Sequence, residues 1–340
     1  MSRKRLLFID FLRFWAIYLM FWDHSLKLFF NFRGRDFLAK FSSQIFSRIL
    51  SYTSLSSALF LYLAGFSLFL SFKHKSQSPI YWLSRKWKRG IILILFSYLL
   101  FFFTYGLERL DLVATSGILQ LVGLITIFGS LIFLLPRKLR IILIILLNYL
   151  TLIIDLALRI KKINIPLLNA NIFPILPHIS YALTGILVAE AFFYFQEKNR
   201  LGKFLKNLLL FSLVGMAFLL SVVNFNPYLI LEAKYTTNDF WQPQTGLVIF
   251  NTFLISGLFS IFALYEKKLA GSKLVKGVLL FGQEALPIYV LHIILGWGIA
   301  RYLLKGMFFG FWAPLLGVAI FLLLGRTWIR YRKTEDNYPD

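Results

Sequence analysis

The chain has 340 residues, no cysteine, a formal net charge of +22 and 59% hydrophobic residues, 38 of them phenylalanine. Such a composition excludes an ordinary pair of soluble domains, and the lack of cysteine excludes disulfides, thiol nucleophiles and thiolate metal ligands. The charge invites a nucleic-acid partner, so the placement of Lys and Arg along the chain has to decide.

Apolar runs of about twenty residues separated by charged punctuation predict an all-α, multi-pass membrane protein. The expected spans are residues 6 to 30, 47 to 72, 89 to 106, 117 to 135, 139 to 158, 173 to 195, 204 to 223, 245 to 265, 278 to 302 and 307 to 326. The first run follows the basic Arg3-Lys4-Arg5 cluster. It is too long for a signal-peptide core, carries charges and has no small-residue cleavage site, so it reads as a retained span. With a cytoplasmic N-terminus, Lys and Arg favour the cytoplasmic connections by roughly two to one, which supports ten spans with both termini inside. The same bias accounts for the charge without nucleic acid. One transmembrane domain in a cell membrane is expected, with lipid as its surroundings.

The first span carries Asp10, Arg13, Asp23 and His24 in an otherwise apolar run. Ionisable groups inside a membrane span are costly and mark candidate functional sites. At about 100° per residue, Arg13 and His24 fall within about 20° of one line and Asp10 within about 40° of His24. A single stripe therefore carries acid, base and imidazole across the bilayer. Asp10 and Arg13, spaced i to i+3, also suit a simple buried ion pair. Asp23, adjacent to His24, points about 100° away and is not an obvious partner for the imidazole.

Further along, Arg85, Lys86, Lys88 and Arg89 form the densest basic cluster. They suit anionic lipid head groups or the phosphates of a cytoplasmic nucleotide-containing donor. Gly65 is expected to permit close helix approach, and Gln120 to act as interhelical glue. His178 and His292 join His24 at or above mid-membrane, and Tyr289 lies one turn before His292. No histidine pair has short metal-ligand spacing, so no metal is expected. The connection from Asn224 to Gln244, which includes Trp241, mixes aromatic rings with amides and acids. Those groups suit a sugar, or a membrane-edge belt.

The pattern Ile9-Asp10-x-x-Arg13 followed by His24 resembles the first-helix motif of the membrane-bound acyltransferase superfamily. That superfamily comprises the acyltransferase-3 proteins and the heparan-α-glucosaminide N-acetyltransferase-like proteins. Matching segments follow in order: Ala58 through Ser67, Gly117-Ile118-Leu119-Gln120, Phe173-Pro174-x-x-Pro177 through Gly185, and Ala285 through His292. The Gly-Ile-Leu-Gln segment leans towards the glucosaminide branch. Phe14 stands where glycine usually follows the arginine, and His178 where tryptophan is expected.

The resemblance implies an acyltransferase that takes an acyl group, commonly acetyl from acetyl-CoA, on the cytoplasmic side. It delivers that group to a sugar hydroxyl or amine on a glycan or glycolipid acceptor on the other side. Carried over by position, His24 is the catalytic histidine, with Arg13 and Asp10 beside it. Arg85, Lys86, Lys88, Arg89, Tyr289 and His292 fall to the donor, and Asp23, Gln120, His178 and Trp241 to the acceptor. Transfer is either direct or through an acyl-enzyme. A transporter or flippase for an anionic or lipid-linked sugar is the competing expectation.

Overall fold

The computed structural model describes residues 5–29, 55–75, 78–105, 117–163, 165, 168, 174–222, 245–271, 273–300 and 313–335. Among these residues the chain is all-α. The helices are α1 (Leu7–Phe29), α2 (Leu55–Lys73), α3 (Pro79–Tyr105) and α4 (Ile118–Leu131), which runs on into a short turn of tighter helix, Ile132–Leu134. There follow α5 (Arg137–Ile160), α6 (Ile175–Glu197), α7 (Leu201–Val222), α8 (Thr245–Leu264), α9 (Glu266–Gly271), α10 (Lys273–Gln283), α11 (Ala285–His292) and α12 (Ala313–Glu335). A wider π-type turn, Ile293–Ala300, continues α11.

By length and apolarity, α2, α5, α6, α7 and α8 can cross a membrane, and a bent pair from α10 into α11 makes up to six spans. Helices also form in the expected first, third, fourth and tenth runs, the fourth of them a shorter apolar helix.

Two boundaries differ from expectation for identifiable reasons. The third helix begins about ten residues early, at Pro79, because Ser78 caps it: the Tyr81 N–H donates to Ser78 Oγ at 3.3 Å, and proline suits the first helical position. The cluster from Arg85 to Arg89 is therefore helical. The expected continuous span from 278 to 302 breaks at Glu284, where the helix bends by 75°. Asp23, in α1, has no described side chain. The N-terminal part of the second span and the whole Asn224 to Gln244 connection, with Trp241, lie outside the described residues.

The chain divides into two compact units. Unit 1 contains the chain's two ends, and in it α1 packs along α10 and α12, with α11 alongside. The closest crossing is at Gly282, where any Cβ would run into the Asp10 backbone carbonyl. The α1 N-terminus is completed from far along the chain: the Leu7 N–H donates to Glu266 Oε1 at 2.7 Å.

Unit 2 is built around α6. Gly65 on α2 meets the Ala182 carbonyl, and Gly185 on α6 meets the Tyr62 carbonyl, so each glycine admits the other helix's backbone. The expected role of Gly65 is the one observed. Below that crossing, Phe66, Phe192 and Phe259 fill the interior. Glu190 is buried and accepts from Arg137 Nε at 3.1 Å, Arg140 Nε at 2.9 Å and Arg140 Nη2 at 2.7 Å, which ties α5 to α6. The Arg140 guanidinium lies against Phe72 and Phe133, an arrangement that offsets part of its desolvation.

Candidate functional site

In unit 1 the α1 stripe has two ends of different character. At the first, Asp10 is 1% exposed and accepts from two guanidiniums, Arg5 Nε at 2.5 Å and Arg13 Nη1 at 3.0 Å. Both carboxylate oxygens are engaged, so Asp10 fixes the two arginines. Two positive charges on one negative leave the cluster with a surplus of one. Arg13 remains half-buried. Arg5 did not stand out in the sequence, because it reads as part of the basic N-terminal run. Its spacing of five from Asp10 straddles the helix start and matches no helical pairing rule.

At the other end, His24 Nδ1 lies 2.8 Å from His292 Nε2. The two histidines are 268 positions apart. They meet because α1 and α11 run side by side and because the bend at Glu284 redirects the chain onto α1. His292 is 1% exposed and ringed by aromatics, with centroids of Tyr289 at 5.2 Å, Phe21 at 5.3 Å and Phe321 at 5.8 Å. Its Nδ1 faces the Ile288 and Tyr289 carbonyls of the preceding turn without a fully aligned bond.

That environment assigns the tautomers. The carbonyls favour a proton on His292 Nδ1, so His292 Nε2 carries the lone pair and accepts from His24 Nδ1–H. The basic lone pair of His24 then sits on Nε2. Fixing one imidazole nitrogen so that the other can act as base is a common way to position a catalytic histidine. His292 therefore contacts His24 itself. Tyr289 touches His292 edge-on, which joins it to the same aromatic cage.

The remaining predicted residues lie in unit 2. Gln120 is buried and donates from Nε2 to Tyr98 Oη at 2.7 Å, joining α4 to α3. His178 is 2% exposed, and its Nδ1 donates to the Pro174 carbonyl at 2.8 Å in the first turn of α6. On α3, Arg85, Lys88 and Arg89 are exposed, while Lys86 is half-buried with Nζ 5.7 Å from the Trp82 ring centroid. Burial first, and then the positive charges of Arg89 and Arg85, bring the Lys86 ammonium down from 10.5 to about 8.

No curated protein sequence is a significant match to the chain. A family profile described as heparan-alpha-glucosaminide N-acetyltransferase, catalytic, matches residues 5–221, which include Asp10, Arg13, His24, the basic cluster of α3, Gln120 and His178. With well over half of the chain matched, together with the α1 stripe that ends on a paired histidine, the chain belongs to the heparan-α-glucosaminide N-acetyltransferase-like family of membrane acetyltransferases.

Proposed function

We propose that the chain is an acyl-CoA-dependent O- or N-acyltransferase that moves an acyl group, acetyl above all, from a cytoplasmic donor to a sugar hydroxyl or amine on the other side of the membrane. The proposed topology has ten spans with both termini cytoplasmic. The observation that carries the reading is the 2.8 Å contact between His24 and His292 inside an aromatic cage. It supplies a base oriented by a buried partner histidine.

In this mechanism His24 Nε2 takes the proton of the acceptor hydroxyl or amine as that group attacks the thioester carbonyl. In the two-step variant Nε2 itself accepts the acyl group and then passes it on. His292 holds the ring and shares the positive charge that develops on it. A thioester already has a good leaving group, so positioning and one base account for much of the rate. Arg13, held by Asp10 and half-exposed, supplies positive charge for the donor or its departing thiolate. The exposed guanidiniums of Arg85 and Arg89 draw in the donor's phosphates.

The test is transfer from labelled acetyl-CoA to a sugar mixture by the purified chain. His24→Ala should abolish transfer, and a near wild-type rate in that variant would sink the proposal. The bent α10–α11 helix also fits the broken helices of transporters. Release of CoA dependent on added sugar would separate the enzyme from that reading, because a transporter leaves the thioester intact.

A further inference from the structure

Lys86 differs from its basic neighbours in where its side chain lies. At about 100° per residue, Trp82, Arg85, Lys86 and Arg89 share one face of α3 and Lys88 points away from it. Trp82 is 6% exposed, its indole N–H donates to Ser71 Oγ at 3.1 Å, and its ring meets Phe72 and Phe133 edge-on. Of the four on this face only Trp82 is buried; Arg85 and Arg89 stay exposed, and Lys86 lies half-buried over the indole. Among the described residues no carboxylate pairs with Lys86, while Arg85 and Arg89 flank it.

We infer that Lys86 is an acyl-accepting lysine, modified directly by the acyl-CoA donor, and that this modification reduces the positive charge that draws the donor in. The inference rests on the proposed function in taking acyl-CoA as the cytoplasmic donor. The neutral Nζ attacks the thioester carbonyl carbon, so that an amide C–N bond forms and the C–S bond breaks. Coenzyme A leaves as the thiol, carrying the proton the amine gives up. No oxidant or reductant is involved.

Two features make Lys86 the favoured amine. The exposed guanidiniums concentrate a polyanionic thioester at this face. With its proton held only to about 8, Lys86 is roughly one-quarter neutral at pH 7.5, against about 0.1% for an ordinary lysine. Acylation replaces a cation with an amide, so each modified chain presents a weaker anion site. A high ratio of acyl-CoA to acceptor would thereby lower donor capture.

The experiment incubates the purified full-length chain with acetyl-CoA and no sugar, then maps acetyl-lysine on chymotryptic peptides. Lys86 should be labelled on the order of a hundredfold faster than an ordinary exposed lysine, the margin set by roughly one-quarter against about 0.1% neutral amine. Labelling by acetyl-pantetheine, which lacks the nucleotide phosphates, should be several-fold slower. Equal labelling of Lys86 and Lys88, or an unlabelled Lys86, overturns the inference.

His24→Ala should keep Lys86 labelling while losing sugar acetylation. If labelling disappears with His24, the acyl group arrived through the histidine, and direct modification is refuted. Intact Lys86 labelling in a wild-type chain that acetylates no sugar would refute the proposed function alone. Lys86→Gln, which mimics the amide, should raise the KM for acetyl-CoA about threefold, the size of one solvent-exposed charge contact. An unchanged KM overturns the regulatory half of the inference.

Discussion

The contact between His24 and His292 makes a quantitative demand on substitutions at position 292. His292→Ala removes the acceptor for His24 Nδ1–H, leaving the tautomer and ring orientation of His24 unset. The bond is a neutral one at 2.8 Å in an aromatic cage, worth about 0.5–1.5 kcal/mol net, or roughly 2- to 13-fold in rate. A freely rotating imidazole reaches the productive orientation only part of the time, which adds about another factor of ten. The combined expectation is a loss of about 20- to 130-fold in kcat/KM for acetyl transfer.

His292→Gln places an amide oxygen near the position of the lost Nε2, so it should recover most of that loss, whereas His292→Asn is too short to do so. The double variant His24→Ala with His292→Ala should be no worse than His24→Ala alone, since an orienting group has no effect without the group it orients. The assay is steady-state transfer from labelled acetyl-CoA, with thermal unfolding of each variant as a folding control. If the two alanine losses multiply, or if glutamine rescues no better than asparagine, His292 does not act through His24.

Three further outcomes follow from the packing. Glu190→Gln leaves Arg140 buried without a full countercharge and should cost about 3–5 kcal/mol, seen as a large drop in unfolding midpoint; Glu197→Gln, whose carboxylate is 65% exposed, should leave the midpoint unchanged. Gly282→Ala forces α1 from α10 at the Asp10 carbonyl and should cost about 1–3 kcal/mol together with much of the transfer activity. Gly277→Ala, in the same helix with nothing within 4 Å of an added Cβ, should be neutral or stabilising by up to about 1 kcal/mol. Glu266→Ala removes the acceptor for the Leu7 N–H and should cost about 0.5–2 kcal/mol, whereas Glu266→Gln keeps an acceptor and most of that stability. Thermal unfolding in detergent measures all of these.

The all-α membrane fold was legible because apolar runs of bilayer length report on the environment of whole helices. The α1 stripe was legible because helical periodicity relates residues along one element. Contacts between elements were not legible. The pairing of His24 with His292 depends on a bend at Glu284, where the short Gly282-Gln283-Glu284 interruption is outweighed in the hydropathy pattern by the apolar residues on either side. Arg5 gave no sign of its contact with Asp10, because its place outside the helix follows from the cap Glu266 provides. The start of α3 was readable in Ser78-Pro79, but a hydropathy window set by the later apolar stretch outweighed that local signal. Gly282 looked like any helical glycine, and its importance comes from the carbonyl it faces.

The site has a consequence for how the protein is made. Leu7 waits for Glu266, which is 259 positions later, and His24 for His292, which is 268 positions later. At about 5–20 residues per second, roughly 15–50 s separate the synthesis of His24 from that of its partner. Throughout that interval α1 carries its charged stripe with none of the helices that later pack along it. Asp10 and Arg13, four residues of chain including both ends, are synthesised together and can neutralise one another from the outset. The ion pair that holds Arg13 in the mature protein is therefore also what offsets charge on the first helix until the last third of the chain arrives.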